Sequence, residues 1–103
     1  MMRLDKPHSF SLDEALARTK ALTDYWSRKY GVKSGWNGAS GRISGRVKGL
    51  KFDGKIEVDE QRVVAEVDVG ILARKLGAPR YVEGKLDDYL DPRHTLESLR
   101  SRS

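Results

Sequence analysis

The sequence predicts an α+β fold: a curved antiparallel sheet of four to five strands packed on one long helix, closed by a C-terminal helix, in the order β-α-β-β-β-β-α. Three observations predict it. Apolar and charged residues alternate almost without a break from Gly41 to Val69, the pattern of strands with one buried and one wet face. Ahead of that stretch, apolar residues recur at spacings of three and four over residues 12–30, which is the period of a helix. Past Gly70 the period changes again to the helical one.

Taken in order, Met2 to Ser9 is a short extended segment carrying Pro7, which confines it to a sheet edge because proline cannot donate to a ladder. Ser11 followed by Glu14 forms a capping-box pattern, in which each side chain satisfies a free backbone N–H at the start of a helix. Leu12, Ala15, Leu16, Thr19, Leu22, Trp26 and Tyr30 make one stripe, with Arg18, Lys20, Asp24 and Arg28 left for solvent, and Gly31 is the stop. Such a helix is roughly 28 Å long, enough to cross a small sheet.

Val32 to Trp36 can form a strand, and Asn37-Gly38-Ala39-Ser40-Gly41 is a turn-rich break. A strand through Lys48 follows, Gly49 interrupts, and Leu50 to Val58 and Arg62 to Val69 pair as a hairpin across Asp59-Glu60-Gln61. Ile43, Gly45, Val47, Phe52, Gly54, Ile56, Val58, Val63, Ala65, Val67 and Val69 share the inner face. Two of these are glycines, and Gly45 and Gly54 suggest close approach of another backbone, for which the long helix is the natural candidate. Ile71, Leu72 and Leu76 give a short helical turn ended by Gly77, and Pro79 opens a helix with Val82, Leu86, Tyr89 and Leu90 on its apolar side. One domain over residues 1–91 is expected, with 92–103 a basic polar tail that frays or forms a marginal helix.

The totals bound the function. A chain of 103 residues builds one core, and 34% charged against 38% hydrophobic residues with clear periodicity describes a soluble globule. Cysteine is absent, which excludes disulfides, thiolate nucleophiles and cysteine-ligated metals and makes a reducing cytoplasm the expected location. No apolar run approaches the roughly 20 residues that span a bilayer, and Met1 to Ser11 lacks the apolar core of a secretory signal, so the chain reads as neither inserted nor exported. The net charge of +5 permits attraction to nucleic acid, anionic lipid or an acidic partner.

No residue set assembles into catalytic or metal chemistry. His8 and His94 lie far apart without a helical partner, so each reads as a surface or capping residue. Glu83, Asp87, Asp88 and Asp91 read as a solvated edge, and Gly35, Gly38, Gly41 and Gly45 precede no helix, so they cannot cradle phosphate. Two surfaces remain. Tyr25, Trp26, Tyr30 and Trp36 cluster where the long helix meets the next strand and are either core or the wall of an apolar pocket with polar tips at its mouth. Arg42, Arg46, Lys48, Lys51 and Lys55 give the outer sheet face a cationic stretch, but no aromatic is interleaved for base stacking, leaving at most a weak, salt-sensitive phosphate contact.

Pro7-His8-Ser9 before the helix, Lys29-Tyr30-Gly31 at its end, Gly45-Arg46-Val47-Lys48-Gly49 leading to Gly54-Lys55-Ile56-Glu57-Val58, Val67-Asp68-Val69-Gly70-Ile71-Leu72 and Lys85-Leu86-Asp87-Asp88-Tyr89-Leu90 together resemble the polyhydroxyalkanoic acid system family of bacterial polyester granule regions. The sequence departs from it with Ile71 where an aromatic is expected and in the linker Gly77-Ala78-Pro79-Arg80. The resemblance implies a compact fold in which a curved sheet grips a helix, and no catalytic residues. With it, the reading is a non-enzymatic accessory or binding protein of polyhydroxyalkanoate metabolism, needing no cofactor, whose partner is an apolar acyl ligand, a polyester granule or a second copy in a homodimer. The alternative is a weak nucleic-acid or anionic-surface binder using the cationic sheet face.

Overall fold

The computed structural model describes residues 2–102. Its elements are β1 (Met2–Pro7), α1 (Leu12–Tyr30), β2 (Lys33–Asn37), β3 (Ser40–Val47), β4 (Leu50–Val58), β5 (Arg62–Val69), α2 (Ile71–Lys75), α3 (Ala78–Tyr89) and α4 (Leu96–Arg100). The α+β class, the antiparallel sheet and the long helix are as the sequence predicts, and α2 and α4 add to the expected order. The sheet has five strands in the order β1-β5-β4-β3-β2, so β2 to β5 form a meander and β1 returns to pair with β5. Pro7 accordingly sits on an edge strand, opposite Arg62.

Turn chemistry sets the register. Lys48 (φ 52°) and Gly49 (φ 81°) both take positive φ between β3 and β4, the two-residue turn whose twist matches that of the flanking strands. Between β4 and β5, Asp59 Oδ1 accepts from the N–H groups of Gln61 (2.7 Å) and Arg62 (2.8 Å). His8 braces the same turn: its Nδ1 accepts from the Phe10 N–H (3.1 Å), so its proton is on Nε2 and donates to the Asp59 carbonyl (2.8 Å).

The glycines of the inner face serve the sheet itself, not the helix as the sequence suggested. A Cβ on Gly54 would stand 2.8 Å from the Ile43 side chain on the neighbouring strand, and one on Gly45 would stand 3.1 Å from Val32. Gly41 does the same for Trp36, whose indole lies where a Cβ would be, at 2.7 Å. Trp36 thereby folds the edge strand over its neighbour and donates from Nε1 to Thr23 Oγ1 on α1 (3.2 Å).

The helix α1 lies between the sheet and the C-terminal elements, so it buries a broader surface than one stripe. Ser11 caps it by accepting from the Glu14 N–H (3.1 Å), but only this half of the capping box forms, because the Glu14 carboxylate turns to Arg18 (2.8 Å). Arg18, expected in solvent, is 4% exposed. Its guanidinium donates to the carbonyls of Tyr89 (3.1 Å), Asp91 (3.1 Å) and His94 (2.6 Å) and lies 4.2 Å over the Phe10 ring. The end of α3 leaves carbonyls without helical partners, and a cation there is doubly suited, by hydrogen bonding and by the helix dipole.

The C-terminal segment, expected as a frayed tail or a marginal helix, forms the short helix α4 and is docked. Thr95 caps α4, Leu99 is fully buried, and Arg102 pairs with Asp88, which also meets His94 at 3.0 Å. Its two apolar residues supply the anchor that the polar composition concealed. The acidic edge of α3 is likewise partnered: Lys6 on the inner face of β1 reaches Glu83 (2.9 Å) and Asp87 (3.1 Å), one helical turn apart, and ties α3 to the sheet edge.

Two predictions follow from this framework. Arg18→Met keeps the apolar stem but removes the charged donor from the carbonyls of Tyr89, Asp91 and His94, of which Asp91 keeps the His94 N–H, so stability should fall by about 3 kcal/mol, read as a lower urea midpoint; an unchanged midpoint would show that the guanidinium contributes nothing. Asp91 is pulled from 3.8 to about 2 by Arg93, through its side chain and backbone N–H, while Asp88 is lowered chiefly by Arg102 and Asp59 by the N–H groups of Gln61 and Arg62. Carboxyls depressed in the folded state contribute fully above their unfolded values and lose that contribution as they protonate. The melting temperature should therefore drop between about pH 4 and pH 2, and the triple variant Asp59→Asn, Asp88→Asn, Asp91→Asn should flatten that drop; an equally steep drop in the variant would contradict it.

Candidate functional site

An apolar cavity of about 310 Å³ opens at one end of the sheet, between the C-terminal turn of α1, the inner face of β3 and β4, and the α2–α3 corner. That size is at the lower end of pockets that hold small ligands. Its floor is built from Ile43, Val47, Leu50 and Phe52, inner-face residues placed there by strand alternation, with Val67 of β5 beside them. Gly54 and Gly45 carry no side chain into this region, and Ile43 and Val32 settle into the space. The opposite wall is Ala73 of α2 with Ala78 and Val82 of α3.

Trp26 and Tyr30, two of the four aromatics that the sequence groups, form the wall from α1. Tyr81, which that grouping missed, completes it. The Trp26 Nε1–H donates to the Tyr81 hydroxyl (3.2 Å), and the Tyr30 and Tyr81 hydroxyls are hydrogen-bonded at 3.1 Å. Burial, with the bond to Tyr30, pushes the Tyr81 hydroxyl well above the ordinary phenol range, so it stays protonated while it accepts from Trp26. Apart from these hydroxyls, the charged group at the cavity is Lys48, on the β3–β4 turn at its mouth.

Tyr25 and Trp36 are not part of this wall. Tyr25 lies on another face of α1 against Tyr89, at 6.4 Å between ring centroids, and the Lys29 ammonium, with Lys85 nearby, holds its hydroxyl below the usual value. Trp36 is committed to Gly41 and Thr23. Adjacency in sequence groups Tyr25 with Trp26, yet adjacent residues on a helix point about 100° apart. The signal that would have found the rest is at α2, where Ile71, Leu72 and Leu76 are 77%, 58% and 71% exposed, leaving Leu76 at the cavity rim.

The five cations divide as well. Arg42, Arg46, Lys51 and Lys55 lie on the outer sheet face, where Arg42 is opposite Lys55 and Arg46 is opposite Lys51. Carboxylates interrupt them: Asp53 is 3.7 Å from Lys51, Glu57 is 3.7 Å from Lys55, and Glu66 pairs across from Lys55. Lys48 leaves that face because its positive φ turns the chain at the hairpin tip. Among the described residues, no group of three or more histidines and carboxylates is placed to hold a metal ion.

Anchored to their neighbours differently, Tyr25, Tyr81 and Tyr89 should titrate apart. Tyr25 should ionise first, and Tyr81 and Tyr89, both raised by burial, last. In an alkaline titration followed by tyrosinate absorbance, Tyr25→Phe should remove the earliest part and Tyr81→Phe a late part; loss of the early part in Tyr81→Phe would contradict the assignment.

No curated protein and no solved structure matches this chain. A family model does, over residues 2–93, described as "Putative polyhydroxyalkanoic acid system protein". The chain belongs to that family.

Proposed function

We propose that this member of the polyhydroxyalkanoic acid system family is a non-enzymatic accessory protein that holds an apolar acyl chain in the cavity between α1, the sheet and the α2–α3 corner. The observation that carries the reading is the composition of that cavity: aliphatic and aromatic walls, two tyrosyl hydroxyls and one ammonium at the mouth. Apolar walls take a hydrocarbon chain without leaving a polar group unpaired, and a few placed polar groups fix which end faces out. An acyl chain ending in a carboxylate or ester oxygen would set that end against Lys48 or the Tyr30–Tyr81 pair. The family's association with polyester metabolism supports hydroxyacyl chains as the class. A binding role is preferred to catalysis because the tyrosine hydroxyls lack an adjacent base, and burial raises Tyr81 away from the range where it could act as one at neutral pH.

Val47 faces the cavity from β3 and is only half-buried, so Val47→Phe should fill the space without disturbing the fold. Dodecanoate titrated into the wild type should change Trp26 fluorescence saturably, and Val47→Phe should weaken binding at least tenfold at an unchanged melting temperature. Equal binding by both proteins, or none by the wild type, would overturn the assignment.

A further inference from the structure

The cavity mouth carries an exposed apolar ridge set in positive charge. Ile71, Leu72 and Leu76 project from α2 and the residue after it, and they are the most exposed large aliphatic side chains among the described residues. A monomer that leaves three such residues together in water gains nothing from folding them there. Charge around them is of one sign. Residues 69–82 contain Arg74, Lys75 and Arg80 and no carboxylate, and the hairpin tip beside them adds Lys48, whereas Arg46 and Lys51 belong to the outer sheet face. All four of these cations are exposed. Lys48 and Leu76 line the same opening, so the two segments form one surface.

From this we propose that α2 and the β3–β4 tip form an interfacial docking face for an anionic lipid surface: Ile71 and Leu72 enter the acyl boundary while Lys48, Arg74, Lys75 and Arg80 meet the headgroups. Aliphatic residues flanked by Lys and Arg are the combination that binds such an interface, since apolar burial and attraction to anionic headgroups add. A second copy of the chain suits the face poorly. A twofold contact places each patch against itself, opposing cation to cation. Nucleic acid suits it no better, because aliphatic side chains offer no stacking platform. The outer sheet face differs by having its cations interrupted by Asp53, Glu57 and Glu66, so the docking face is the cavity end and not the cationic strands. This inference does not depend on what the cavity holds.

Co-sedimentation with vesicles tests it. The wild type should bind vesicles of phosphatidylcholine mixed with phosphatidylglycerol at low ionic strength, bind phosphatidylcholine alone at least tenfold more weakly, and lose affinity as salt rises. Ile71→Glu with Leu72→Glu, both on exposed positions outside the cavity lining, should cost at least tenfold. Arg74→Glu with Lys75→Glu should do the same. Arg42→Glu with Lys55→Glu, on the outer sheet face, should leave affinity within about twofold. Absence of binding to the anionic vesicles, full binding by the Ile71/Leu72 variant, or a loss in the Arg42/Lys55 variant equal to that of the α2 variants would each overturn the proposal. Val47→Phe separates the two readings: it should weaken dodecanoate binding at least tenfold and leave vesicle binding intact, and loss of vesicle binding in it would overturn an independent docking face.

Discussion

A single buried guanidinium joins the two ends of this molecule. Arg18 on α1 is withdrawn from water, and such a charge is tolerable only when its donors are matched. Here they are: one carboxylate one turn earlier, and three main-chain carbonyls from Tyr89, Asp91 and His94. Those carbonyls belong to the end of α3 and the turn beyond it, where a helix has acceptors to spare. The bond therefore solves two problems together, the termination of α3 and the placement of α4. With α4 in place, Leu99 closes the core, and the face of α1 away from the sheet becomes interior.

The cavity exists because the other end of α1 has no comparable clamp. At the Arg18 end, α1, α3 and α4 converge and the packing is closed by Tyr89, Leu86 and Leu99, all but fully buried. Toward Trp26 and Tyr30 the sheet curves past glycines whose place is taken by Ile43 and Val32, and only the short α2 and the start of α3 stand opposite. Hydrogen bonding among Trp26, Tyr30 and Tyr81 fixes the wall without filling the space. A helix gripped firmly at one end and loosely at the other leaves room where the grip is loose.

Much of this was legible in the residues. Alternation from Gly41 to Val69 specifies the strands, their faces and their hairpins, because a slip by one residue would turn Val63, Val67 and Val69 of β5 outward. The helix start at Ser11, its end at Gly31, and the edge placement of Pro7 also follow from local chemistry. Arg18 did not, since a charged residue on a helix is ordinarily solvated and its acceptors are more than 70 positions away in sequence. The docking of α4 was hidden for the same reason: Leu96 and Leu99 in a polar segment look like chance until a complementary surface is known. Of the aromatic cluster, Trp26 and Tyr30 were separable from Tyr25 only by helical geometry, and from Trp36 only once Gly41 was seen to hold its ring.

The span of the Arg18 contacts also fixes when the molecule can be completed. β1, at the beginning of the chain, pairs with β5, and Arg18 must wait for acceptors at positions 89, 91 and 94. During synthesis the ribosome delivers the meander and α1 well before those carbonyls leave its tunnel. Until then a nascent chain carries on the flank of its longest helix a cation with Glu14 but none of its carbonyl partners, a charge that resists premature burial of that flank. The same arginine that locks the finished fold thus keeps the unfinished one from closing on the wrong partner.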